Sequence, residues 1–137
     1  MSLSITSWPQ AVAFRVVYED NANTTVRTNV LGSTGAIRTV VVDNSQGSAA
    51  CFLKIVDSFT AVVGTEPDWI FRIGSGKKET IVLSGSGQFS TGLSFWTTLN
   101  AAVGDNNNPS VVTDGTVKVT LIVEEATEKS QSLGPTY

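Results

Sequence analysis

Residues 51–57, with the sequence CFLKIVD, decide the fold class of this chain. Cys51, Leu53 and Ile55 alternate with bulky neighbours in a period of two, which is typical of a β-strand. Lys54 lies on the opposite face, so we predict that the face with Leu53 and Ile55 points into the core. The residues that follow are turn formers, which indicates that the strand is short.

The same alternation recurs along the chain, at residues 12–18, 37–42, 69–73 and 117–123. Weaker strands are predicted at 25–31, 80–83 and 88–95. Valine and threonine, the commonest residues, pack well on pleated sheets, and the 12 glycines indicate many turns. We predict a single-domain antiparallel β-sandwich, Ig-like or jelly-roll-like, with about eight short strands.

Core faces follow from the rule that the face without Arg or Lys is the buried one. On the first strand Arg15 lies on one face, which predicts a core face of Phe14, Val16 and Tyr18. On the second strand, Arg38 likewise predicts a core face. Its members are Ile37, Thr39 and Val41. On the last strand the predicted core face consists of Val117, Val119, Leu121 and Val123.

The two ends of the chain differ from its middle. We predict an N-terminal arm over residues 1–10, a sandwich over 11–123 and a C-terminal arm over 124–137. The arms are either frayed termini or segments that become ordered against neighbouring subunits. In the second interpretation their large apolar side chains are candidate interface residues: Leu3, Ile5, Trp8, Leu133 and Tyr137.

Composition argues against several functions. The net charge of −3, with scattered basic residues, argues against nucleic-acid binding. The sequence predicts no membrane span and no signal peptide, and therefore synthesis in a cytoplasm. With no histidine and one cysteine, we expect no enzyme, no cofactor and no metal site. Asp105 and the three asparagines after it could offer oxygens to calcium, but a tight turn is the favoured interpretation.

The uncharged run 80–104 contains more large apolar residues than one small core can hold. Since Phe95 and Trp96 are adjacent, one of them should face outward or into an interface, and both are candidate interface residues. Trp69 alternates in step with Phe71 and is expected in the core. The run therefore predicts a homo-oligomer.

Two segments carry a family resemblance: residues 50–57, a strand that ends in Asp57, and the turn and strand FSTGLS at 89–94. Together with the GTEPD loop at 64–68, they resemble small all-β modules of bacteriophage virion structural proteins. The resemblance covers roughly residues 35–123. It implies a virion component, and the terminal arms favour a protein attached to the capsid surface after synthesis in the bacterial host cytoplasm. Since capsid lattices offer three-fold positions, the resemblance favours a trimer as the homo-oligomer.

Two functions remain open at this point. The first is a capsid decoration or cement protein that binds the major capsid protein or other virion proteins and links neighbouring subunits. The alternative is a receptor- or glycan-binding module of a phage fibre, spike or other appendage. In that case Trp96 would stack on sugars, and residues 105–108 would supply hydrogen bonds.

Overall fold

The computed structural model describes residues 13–125, which form eight β-strands. The strands are β1 Ala13–Ala22, β2 Gly35–Asn44, β3 Cys51–Asp57, β4 Trp69–Ile73, β5 Lys77–Val82, β6 Gln88–Phe89, β7 Leu93–Thr98 and β8 Val117–Glu125. No helix occurs within this part of the chain. The predicted all-β class is therefore confirmed.

The strands form two antiparallel sheets packed face to face. The larger sheet has the strand order β1-β8-β2-β5, and the short β6 also pairs with β2. The smaller sheet has the order β4-β3-β7. Side chains from both sheets share one apolar core, in a sandwich-like arrangement. Burial of this core is the main term that stabilises the fold.

The core prediction is confirmed on the strands in the middle of each sheet. Leu53 and Ile55 on β3 have no exposed surface. On β8 the whole predicted face is buried, from Val117 to Val123. On β4, an edge strand of the smaller sheet, Trp69 and Phe71 are partly buried and pack against the same core. β3 and β8 obey the alternation rule because each has a neighbouring strand on both sides and the other sheet against its core face.

On β2 the predicted core face is correct only at its first residue. Ile37 is buried, but Val40 and Val42 replace Thr39 and Val41 in the core. The register with β8 shifts between Ile37 and Thr39, which marks a β-bulge at Arg38. A bulge inserts one residue and reverses the direction of every later side chain.

On β1 the predicted core face is wrong. Phe14, Val16 and Tyr18 are exposed, whereas Val17 packs against the core. The face that carries Arg15 points inward because β1 is at the edge of the sheet, where the core is only partly covered. There a long charged side chain can extend past the rim to solvent and to an ion partner.

Other boundaries also differ from the prediction. Residues 25–31 form no regular strand, only a bridge in which Arg27 pairs with Phe95. Residues 88–95 divide into β6 and the start of β7. β8 continues through Glu125, two residues into the predicted C-terminal arm. The candidate residues Leu3, Ile5, Trp8, Leu133 and Tyr137 lie outside the described residues.

Candidate functional site

The most distinctive surface of the molecule is the outer face of the larger sheet, the side turned away from the core. Two cross-strand rows run over β1, β8, β2 and β5. The first row consists of Val16, Ile122, Thr39 and Val82, and the second of Tyr18, Thr120, Val41 and Thr80. We call these eight residues, together with Phe14, the outer face. It contains no charged side chain.

Several side chains of the outer face are strongly exposed. The exposed fractions are 59% for Phe14, 66% for Val16, 58% for Tyr18 and 71% for Val82. Single exposed apolar residues are ordinary on protein surfaces. Here, however, Phe14, Val16 and Tyr18 lie side by side along one face of β1, and one cross-strand row joins Val16 to Val82. Contiguous apolar patches usually mark contact sites.

One end of the outer face is bordered by charged residues. Lys118, Asp43 and Lys78 form the next cross-strand row, beside the row that contains Tyr18. With three outer-face residues they line a hollow of about 170 Å³. Hydrogen bonds from Ser45 lower the pKa of Asp43, and the two lysines contribute to the same shift. Asp43 therefore stays ionised at neutral pH.

The opposite end is bordered by ion pairs. Arg38 lies 2.7 Å from Glu124, which is directly opposite Phe14 on the outer side of the sheet. At the same end, on the core-facing side, Arg15 lies 3.1 Å from Glu125. The hydroxyl of Ser33 also donates a hydrogen bond to Glu125, and this bond is the main cause of the lowered pKa of that carboxylate. The outer face is thus an uncharged band between two polar margins, as in the core and rim of protein interfaces.

A larger groove, of about 410 Å³, lies at the end of the sandwich where β8 ends. Its ionisable side chains are Arg38, Asp57, Glu124 and Glu125. The two glutamates and the arginine take part in the ion pairs above, and Asp57 accepts hydrogen bonds from the turn beside it. The groove therefore holds carboxylates that are already partnered.

Residues 50–57 and 89–94, the two segments singled out in the sequence, contact each other. Asp57, at the end of β3, accepts hydrogen bonds from the backbone N–H groups of Ser90, Thr91 and Gly92, at 2.9, 2.7 and 3.1 Å. The Ser90 hydroxyl donates a further bond to the same carboxylate. Burial opposes ionisation of Asp57, but these hydrogen bonds outweigh it and lower its pKa. The Asp57 carboxylate therefore joins the end of β3 to the turn before β7, a structural role.

The structure corrects the prediction for Phe95 and Trp96. Both are 1% exposed, and Phe95 belongs to the main core. Trp96 does point away from that core, but the chain covers it with Val26, Ala61 and other apolar residues. The surface expected to be an interface is therefore packed within one chain, because the loop between β3 and β4 folds over it.

The polar side chains of the loop at 105–108 also form hydrogen bonds within the chain. The Asp105 carboxylate accepts hydrogen bonds from the backbone N–H of Asn100 and from the backbone and side chain of Asn107. The side-chain oxygen of Asn108 accepts hydrogen bonds from Thr24. These contacts support the turn interpretation.

Sequence reasoning missed the outer face because it assigned Phe14, Val16 and Tyr18 to the core. A signal was present: Arg15 and Glu19 share a face, and opposite charges on one face of an edge strand can form ion pairs at its rim. In the structure Arg15 pairs with Glu125, and Glu19 with Arg27.

Comparisons with known proteins do not assign the chain to a family, since no family model, curated protein or solved structure matches it. Across residues 13–125, no cluster of three or more His, Cys, Asp or Glu side chains is placed to hold a metal ion. The same residues include no helix that could cross a membrane.

Proposed function

We propose that this chain is a non-enzymatic structural protein of a bacteriophage particle, a decoration or cement protein on the outside of the shell. The observation that carries the proposal is the outer face. It offers a broad, uncharged and partly apolar surface on a rigid sheet, and charged margins can orient it on a partner.

The resemblance of residues 50–57 and 89–94 to virion modules supplies the class of partner. Asp57 and the turn it holds connect two strands of the smaller sheet, so the resembling segments form a scaffold. The contact surface lies on the opposite side of the sandwich, on the larger sheet. In this proposal the outer face binds the major capsid protein, and the chain acts on the capsid surface after synthesis in the host cytoplasm.

Binding to purified particles tests the proposal. The protein should sediment with intact shells of the phage that encodes it, and Val82→Lys should weaken this binding because it places a charge among the apolar side chains of the outer face. Ile70→Lys is the matched control, since Ile70 is also exposed but lies on the smaller sheet.

Absence of the protein from purified particles, together with no sedimentation of added protein, would refute the proposal. Equal binding by wild type and Val82→Lys would show that the outer face is not the surface that binds the shell. The receptor- or glycan-binding alternative remains a prediction, although Trp96, on which it relied, is buried. A glycan array with the wild-type protein tests it directly.

A further inference from the structure

The free edge of β1 is the second unusual feature of the larger sheet. Within residues 13–125, β1 pairs only with β8, so its other backbone edge has no partner strand. Such an edge presents unpaired N–H and C=O groups and is a template for another strand. Most natural edges carry charges or prolines that prevent this pairing.

The two edges of this sheet differ in that respect. β5, at the far edge, begins with Lys77, Lys78 and Glu79, which are all exposed. On β1, by contrast, Arg15 and Glu19 form ion pairs within their own chain, which reduces the charge they present to another strand. β5 is protected against strand addition, whereas the stretch of β1 around Val16 is not.

We infer that β1 pairs antiparallel with β1 of a second copy of this chain, around a two-fold axis at Val16. In this register Phe14 of each copy lies opposite Tyr18 of the other, and Val16 lies opposite its own equivalent. Aromatic and β-branched cross-strand pairs of this kind stabilise sheets. The same surface meets itself, as a two-fold interface requires.

Neighbouring registers with the same symmetry are less favourable. An axis at Arg15 would place two like charges directly opposite each other. An axis at Val17 would place Phe14 opposite Asp20, and an aromatic ring would then face a carboxylate. The sequence of β1 therefore selects the register centred on Val16.

Such pairing joins two larger sheets into one continuous sheet. The axis is perpendicular to the sheet, so the two outer faces lie side by side on the same surface. This inference concerns the free protein in solution and does not depend on binding to a shell.

The molar mass of the full-length protein in solution is the first test. Light scattering at micromolar concentrations should give twice the mass of one chain. Val16→Lys should give a single-chain mass, because two ammonium groups would meet at the axis. Val82→Lys should remain a dimer, since β5 lies at the opposite edge.

Disulfide cross-linking tests the register. Directly opposed antiparallel residues have Cα atoms about 4.5–5.5 Å apart, within the range a disulfide spans. Val16→Cys should therefore form a covalent dimer rapidly under a mild oxidant. Val82→Cys, equally exposed on the same face, should not. Neither should Tyr18→Cys alone, but a mixture of Phe14→Cys and Tyr18→Cys chains should.

A wild-type mass of one chain overturns the inference, including the case in which residues 1–12 cover the β1 edge. A mass of three chains overturns it in favour of the trimer predicted from the sequence. A dimer in which Val16→Cys cross-links no faster than Val82→Cys overturns the β1 interface. A dimer in which Tyr18→Cys alone cross-links as fast as Val16→Cys overturns the register.

Discussion

The Asp57 carboxylate accepts a 2.7 Å hydrogen bond from the backbone N–H of Thr91, 34 residues further along the chain. The same carboxylate also holds the N–H groups of Ser90 and Gly92. One side chain therefore fixes the turn that leads into β7, the strand that carries Phe95 and Trp96.

Asp57→Ala should lower the free energy of unfolding by about 1–2 kcal/mol, because three backbone donors lose their acceptor. Equilibrium urea unfolding measures the change. Asp68→Ala is a useful comparison, since the Asp68 carboxylate accepts a hydrogen bond from one backbone N–H, that of Asp57. If Asp57→Ala lowers the free energy of unfolding less than Asp68→Ala does, the hydrogen bonds from residues 90–92 to Asp57 do not have this stabilising role.

The pH dependence of the free energy of unfolding should include a contribution from ionisation of the Asp57 carboxylate. Its pKa in the folded protein lies below the ordinary value of 3.8, so ionised Asp57 stabilises the folded state at pH values above 3.8. This contribution is lost as the pH falls through the lowered folded-state pKa. The difference in unfolding free energy between wild type and Asp57→Asn should therefore shrink in acid. A difference that is constant with pH would contradict this assignment.

The core strands should be the most sensitive to truncation. Leu53→Ala and Ile55→Ala should each lower the free energy of unfolding by about 2–5 kcal/mol, because both side chains are fully buried. Val82→Ala, on the exposed outer face, should change it by no more than about 0.5 kcal/mol. Chemical denaturation of the three variants measures these differences. Losses below about 0.5 kcal/mol at both core positions would contradict the assigned face.

Cys51 should be chemically inert in the folded protein. Its side chain is fully buried, and burial raises the pKa of the thiol to about 11. Because the thiolate is the reactive form, a thiol reagent at mildly alkaline pH should modify Cys51 only after unfolding. A reagent that releases a coloured thiolate when it reacts with a thiol measures the rate of modification by absorbance, with and without denaturant. Rapid modification without denaturant would show that the site opens in the native state.

Lys54 should act as a buried support for the loop between β7 and β8. It lies directly opposite Trp96, is fully buried, and donates a 2.6 Å hydrogen bond to the carbonyl of Ala102. Burial lowers the pKa of Lys54, and the nearby Asp105 partly offsets this effect. Lys54→Ala should lower the free energy of unfolding by about 2–4 kcal/mol, because it removes both the hydrogen bond and the packing.

Lys54→Met separates these two contributions, because it keeps most of the aliphatic volume and removes the charge. We expect it to lose less stability than Lys54→Ala in the same urea titration. If both variants lose equally, the ammonium group and its hydrogen bond dominate, and packing beside Trp96 contributes little.

Alternation predicted the buried faces of β3 and β8 because these strands have a neighbour on each side and a second sheet above them. It failed on β1, where an inward-facing Arg15 can reach solvent past the sheet edge. It failed on β2 because the bulge at Arg38 leaves no clear mark in the local sequence. The exposed outer face depends on both failures, and so it could not be predicted from alternation alone. Burial of Trp96 depends on a loop that folds over it, which strand periodicity does not report.

The pairing of Ala13 with Glu125 has a mechanical consequence. The first described residue of β1 and the last of β8 lie side by side at one end of the sheet. A force that pulls these two residues apart would therefore load the β1–β8 hydrogen bonds one after another, as in a zipper, instead of all together in shear. Hydrogen bonds that break one at a time need less force than the same bonds broken together. If the two chain ends were held by different anchors that moved apart, this sheet would begin to separate at the Ala13–Glu125 pair.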